Sequence, residues 1–153
     1  MSAVDTTDGT ADVASGLDFL REWLGQWDER PGIGRLLGME VVSLEVGEAV
    51  FALRTSPEFA NPLGTVHGGI CATLLDSVMA CAVHSTLEAG AGYTTLELKV
   101  NYIAPVRTDG RELRAVGRTI HVGRTTATAE GRVEDGDGRL VAHATTTCLL
   151  FRA

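Results

Sequence analysis

The chain has 153 residues, 44% of them hydrophobic and 22% charged, with a net charge of −7. That is long enough for one domain with a real core and too apolar for disorder. The acidic balance argues against general binding to nucleic acid or anionic membranes. No apolar run is long and uncharged enough to span a bilayer.

Residues 1–16 are rich in Asp, Thr, Ser, Gly and Ala and lack a basic stretch followed by an apolar core. They read as a disordered tail and not as a signal peptide. Leu17, Phe19, Leu20, Trp23, Leu24 and Trp27 follow near-helical spacing, which predicts a short amphipathic helix with the tryptophans as packing anchors. Pro31-Gly32 and Gly34 are expected to end it. Met39 to Glu45 and Ala49 to Arg54 read as two strands joined by a hairpin at Val46-Gly47-Glu48. A segment rich in turn formers, with Pro57, Asn61-Pro62 and Gly64, then leads to His67-Gly68-Gly69.

From His67 onward the chain is apolar on nearly every side of a predicted helix that runs to about Glu88 and ends at Gly90 and Gly92. Asp76 interrupts it. A carboxylate in such a field loses hydration unless it is paired or opens into a cleft, so it marks a candidate reaction site. Cys71 and Cys81 lie on this same helix, about 15 Å apart by helical rise, too far for a disulfide. Reduced thiols in a cytoplasmic protein are expected.

Four longer strands are predicted next: Tyr93 to Ala104, Glu112 to His121, Thr125 to Glu134 and Leu140 to Phe151. In the first, Leu96, Leu98, Val100 and Tyr102 share one alternating face. Asp135-Gly136-Asp137-Gly138 is a strong turn signal before the last strand. Six antiparallel strands need a cover for one face, and the apolar helix is the element able to provide it. The expected fold is α+β, a curved six-stranded antiparallel sheet wrapped around one long central helix, with a short N-terminal helix.

Two constellations could carry chemistry. The first is Asn61, His67, Gly68 and Asp76. A helix N-terminus offers free N–H groups and a positive dipole end, and glycine lets a carbonyl approach the backbone. The Gly68 N–H could hold a developing oxyanion, with Asp76 two turns along as base or nucleophile. The second is Gly123-Arg124-Thr125-Thr126, which could contact a phosphate but on its own residues reads as an ordinary hairpin turn. Residues 99–139 carry eight basic against six acidic residues, and twelve of the thirteen basic residues in the chain are Arg. Any one of these Arg residues is read equally well as part of a solvated strand face. His84, His121 and His143 show no metal spacing with each other or with Cys71, Cys81 or Cys148. Phosphate-loop, dinucleotide and nucleophile-elbow motifs are missing as well.

The stretch Asn61-Pro-Leu-Gly-Thr-Val-His67-Gly-Gly-Ile-Cys-Ala-Thr-Leu-Leu-Asp76 resembles the signature of hotdog-fold acyl-CoA thioesterases of the phenylacetate-degradation type. Thr94-Thr95-Leu-Glu-Leu-Lys-Val-Asn-Tyr102-Ile-Ala-Pro105-Val, the Gly123-Arg124-Thr-Thr run and the Gly138-Arg-Leu-Val-Ala-His ending are similar to it too, so the likeness spans roughly residues 35 to 151. It implies a hotdog domain at 35–153, preceded by a helix and linker at 17–34. It implies hydrolysis of an acyl-CoA substrate with no cofactor and no metal. Asp76 would be the catalytic carboxylate and the Gly68 N–H the carbonyl-polarising donor. His67 and Asn61 would position thioester or water, and Thr95, or the neighbouring Thr94, would orient water. Gly123, Arg124 and Thr125 would contact CoA phosphate. The site would lie between two subunits, in a homodimer as the minimal active unit of a homotetramer. A non-catalytic acyl-CoA binding or sensing module and an acyl-thioester dehydratase are the alternatives on the same fold.

Overall fold

The computed structural model describes residues 15–152. Most of the expected tail, residues 1–16, therefore lies outside the described residues, but Ser15 caps a helix and Gly16 begins it. Helix α1 spans Gly16–Gly25. Ser15 caps it in a reciprocal box with Asp18, each satisfying an orphan N–H of the other. Leu17, Leu20 and Leu24 turn inward, and the Gly16 N–H bonds to the Leu87 carbonyl at 3.0 Å.

A second short helix, α2 at Ile33–Leu37, occupies what was expected to be linker. Gly34 does not stop a helix there. It makes room for Trp27, because a Cβ at Gly34 would fall 1.4 Å from the indole. Trp27 in turn stands edge-on to the fully buried Phe51, ring centroids 5.4 Å apart. It is the true anchor, whereas Trp23 meets Trp27 at a tilted 60° and stays partly exposed.

The sheet has six antiparallel strands: β1 Met39–Glu45, β2 Glu48–Arg54, β3 Gly92–Tyr102, β4 Glu112–Val122, β5 Thr126–Asp135 and β6 Leu140–Phe151. Their spatial order is β1-β2-β4-β5-β6-β3. The concave face wraps helix α3, Gly68–His84, whose Leu74, Leu75, Val78, Met79, Ala82 and Val83 are buried. Ala49, Gly117, Gly131 and Ala144 pair in one row across four strands beneath it. A Cβ at Gly117 would sit 2.5 Å from the Val78 carbonyl, and one at Gly131 would meet Met79 and Leu75 at 3.0–3.1 Å. The helix therefore rests on the sheet backbone, an approach only small residues permit.

Two expectations need correction. Helix α3 ends at His84, four residues before Glu88. There the Ser85 and Thr86 hydroxyls donate to the Ala82 and Val83 carbonyls, and the Thr86 and Leu87 N–H groups bond three residues back. Side-chain hydroxyls thus compete for the carbonyls that a continuing helix would use. Second, β3 does not alternate evenly. Its register against β6 slips between Thr95 and Glu97, a bulge that turns Leu96 outward to 57% exposure. Leu98 and Val100 keep their inward packing.

Candidate active site

Helix α3 begins in a loop that Asn61 organises. The Asn61 Oδ1 accepts the N–H groups of Leu63 (2.9 Å) and Thr65 (3.2 Å), while its Nδ2 donates to the Thr65 hydroxyl at 3.0 Å. His67 is the N-cap. Its Nδ1 accepts the Gly69 N–H at 2.9 Å, and its own N–H donates to the Phe59 carbonyl at 2.7 Å. Accepting at Nδ1 leaves Nε2 as the protonated nitrogen of the neutral ring. The Gly68 N–H donates to nothing among the described residues, as expected for the first residue of a helix. The Tyr102 hydroxyl donates to the Gly68 carbonyl at 2.8 Å. Gly68, Asn61, Cys71 and Tyr102 border a cleft of about 310 Å³ whose other walls are largely apolar.

Asp76 is the midpoint of α3, on the stripe that the sheet leaves partly open with Thr73, Ser77 and His84. The Thr95 hydroxyl donates to its Oδ1 at 2.9 Å. The β3 bulge makes this bond possible. By simple alternation Thr95 faces away from Leu98 and Val100, and the extra residue places all three on the helix side. Thr94 is exposed, so of the two threonines it is Thr95 that meets the carboxylate.

The buried carboxylate of Asp135 offers a contrast to half-buried Asp76. It accepts two backbone N–H groups and the Arg139 guanidinium, and is saturated. Asp76 has one partner. Its Oδ2 has none among the described residues, and no buried side-chain oxygen or nitrogen there lacks a partner, so Oδ2 opens to solvent. Nearby thiols are unsuited as nucleophiles. Burial, then the Asp76 charge, pushes Cys81 up to about 12, and burial alone lifts Cys71 to about 11. Tyr93 is raised mainly by burial, with Cys81 and Asp76 adding to it.

The predicted residues therefore fall into two groups. Asp76 pairs with Thr95, while Asn61, His67 and Gly68 gather at the helix entrance. Eight residues separate Gly68 from Asp76, a rise of about 12 Å. Gly123 and Arg124 lie at neither place. Their carbonyls accept the Arg152 guanidinium at 2.9 and 2.8 Å, and Arg152 also pairs with Glu88 beyond the end of α3. The turn with Gly123, Arg124 and Thr125 thus sits at the far end of the helix from Gly68, about 25 Å away by helical rise. The Tyr102 contact was missed, although its place on the inward face of β3 was legible. Among the described residues no cluster of His, Cys, Asp and Glu could hold a metal ion, and no helix is long and apolar enough to cross a membrane.

The profile of the thioesterase superfamily matches residues 63–142. Acyl-coenzyme A thioesterase 13 of Homo sapiens is 28% identical over 125 residues, covering 80% of this chain and 88% of the relative. Its Mus musculus counterpart is 31% identical over 111 residues, covering 72% and 78%. In shape, the chain is similar to the E. coli PaaI protein of the phenylacetic acid degradation operon (TM-score 0.78, 20% identity, 90% of this chain and 97% of that one). It is also similar to a phenylacetic acid degradation-related protein of Ralstonia eutropha (TM-score 0.73, 32% identity, 83% and 98%). The chain belongs to the thioesterase superfamily, as a thioester hydrolase on a hotdog fold.

Proposed function

We propose that the protein hydrolyses an acyl-CoA thioester to a free carboxylic acid and CoA, at a site assembled from two copies of the chain. The observation that carries this is the open Oδ2 of Asp76 beside a Thr95-fixed Oδ1. Asp76 is the general base. A water on Oδ2 loses its proton to the carboxylate as its oxygen attacks the thioester carbon. The carbonyl oxygen, now negative, is held by the Gly68 N–H at the positive end of α3. Collapse expels the CoA thiolate, which takes the proton back from Asp76. No cofactor enters, because CoA is part of the substrate.

Asp76 and Gly68 of one chain are too far apart to act on one carbonyl, so the donor comes from the partner. Strand β3 supports such pairing: among the described residues it is an eleven-residue edge strand with one side unpaired. The minimal active unit is a homodimer, and two dimers form a homotetramer. His67, through its outward Nε2–H, and the Asn61 loop flank the thioester. Arg124 and Thr125 receive a CoA phosphate, on a turn whose Gly123 N–H is held by the Thr126 carbonyl at 2.8 Å. Three free thiols accord with a cytoplasmic setting. A dehydratase would need a free imidazole nitrogen on His67 as the base beside Asp76, but Nδ1 is taken by the Gly69 N–H, which leaves Nε2 as a donor.

Thiol release from phenylacetyl-CoA and octanoyl-CoA tests the activity. Asp76→Asn should lower kcat by about 10³-fold with fold and assembly intact; near-wild-type turnover would remove Asp76 from the chemistry. Single turnover in ¹⁸O-water should put the label in the acid and leave Asp76 unlabelled. Label in the Asp76 carboxylate would make it a nucleophile instead.

A further inference from the structure

Gly68 has no left-handed backbone that would demand glycine. What crowds a side chain there is Tyr102. A Cβ at Gly68 would come within 3.0–3.1 Å of the phenol ring and hydroxyl. The hydroxyl of the same residue donates to the Gly68 carbonyl at 2.8 Å. That carbonyl and the Gly69 N–H are the two polar ends of one planar peptide group. His67 Nδ1 holds the N–H end at 2.9 Å. The peptide between Gly68 and Gly69 is thus gripped from both sides, by β3 at its oxygen and by the N-cap at its nitrogen. The preceding residue is tied through the His67 N–H to Phe59. Between these fixed groups the Gly68 N–H is the unengaged donor. Partial desolvation, and behind it the Cys71 thiol, push the phenol upward, so the hydroxyl stays a donor at neutral pH.

We infer that Tyr102 is a positioning residue for hydrolysis: it clamps the Gly68–Gly69 peptide so that the Gly68 N–H is aimed before the thioester arrives. This rests on the proposed role of Gly68. An aimed donor costs no reorganisation in the transition state, so loosening it lowers kcat more than it raises KM. The same clamp favours the glycine, since a Cβ at Gly68 would press on the ring at 3.0–3.1 Å.

The test uses the full-length protein with phenylacetyl-CoA and octanoyl-CoA, and pairs kinetics with amide hydrogen exchange of the segment 66–70, which does not depend on turnover. Tyr102→Phe keeps the ring and removes the hydroxyl. It should lower kcat about tenfold with KM within about twofold, and speed exchange at Gly69. Gly68→Ala should lose about 100-fold, and the double variant Gly68→Ala/Tyr102→Leu should be more active than Gly68→Ala alone. Wild-type kcat and exchange in Tyr102→Phe, or a rise in KM alone, would overturn the clamp. So would a double variant no better than Gly68→Ala. Asp76→Asn is run beside them: if it stays active the site assignment fails, while exchange still judges Tyr102.

Discussion

The Thr95 hydroxyl donates to Asp76 Oδ1 at 2.9 Å, so the bulged edge strand fixes the orientation of the carboxylate at the centre of the helix. Thr95→Ala frees Asp76 to rotate without removing it. The expected loss in kcat/KM is about tenfold, smaller than for Asp76→Asn, and Thr95→Ser should restore most of it. Steady-state thiol release on the three variants checks the order.

Two dead chains should revive each other. Gly68→Pro, combined with Tyr102→Leu to clear the ring that a Cβ there would meet at 3.0–3.1 Å, removes the N–H at the first position of a helix, where proline is tolerated, and His67 already has the extended backbone (φ −58°, ψ 133°) that precedes proline. Co-refolded in equal amounts with Asp76→Asn, half the dimers are mixed and each mixed dimer holds one intact site. About a quarter of wild-type activity should return. A site contained within one chain would give none.

The fold rests on close contact at Gly117. Gly117→Ala pushes a methyl to 2.5 Å from the Val78 backbone, which cannot yield as a side-chain tip would. A loss of about 3 kcal/mol is expected, read as a shift of the denaturant midpoint. Gly136→Ala, whose Cβ would meet nothing nearer than 3.9 Å, is the matched control and should change little.

Stability should fall on mild acidification through His84. Its ring is packed between Phe19 (5.2 Å) and Tyr93 (5.3 Å), and burial lowers its pKa from 6.5. A base with a depressed folded pKa is protonated first in the unfolded chain. Stability is therefore full above about pH 6.5 and drops as pH falls below it. His84→Gln should flatten the Tm profile between pH 7 and pH 5. Asp109, held at about 2 chiefly by hydrogen bonding to Arg111, does not titrate in that window.

Most of the fold was legible because hydrophobic alternation and turn residues are local. The six strands fell within a residue or two of their predicted ends, and Asp76 stood out against its apolar field. What escaped was set by partners distant in sequence. Helix α2 depends on Trp27 needing the space at Gly34. The end of α3 depends on Ser85, which also receives the Gly47 N–H at 2.8 Å. The β3 bulge is a register shift against β6, and no residue type near Leu96 announces it. The choice of Thr95 over Thr94 follows from that shift, and the grip of Tyr102 on Gly68 joins residues 34 apart in sequence.

The row Ala49-Gly117-Gly131-Ala144 has a consequence for how such an enzyme can diversify. Because α3 lies on bare backbone, it can neither slide nor tilt to suit a bulkier acyl group. Asp76 is carried at a fixed height above the sheet, like a tool bolted to a bench. A new substrate must be fitted by the parts around that bench, the Asn61 loop, the edge strand and the α1–α2 segment, and not by the helix that holds the carboxylate.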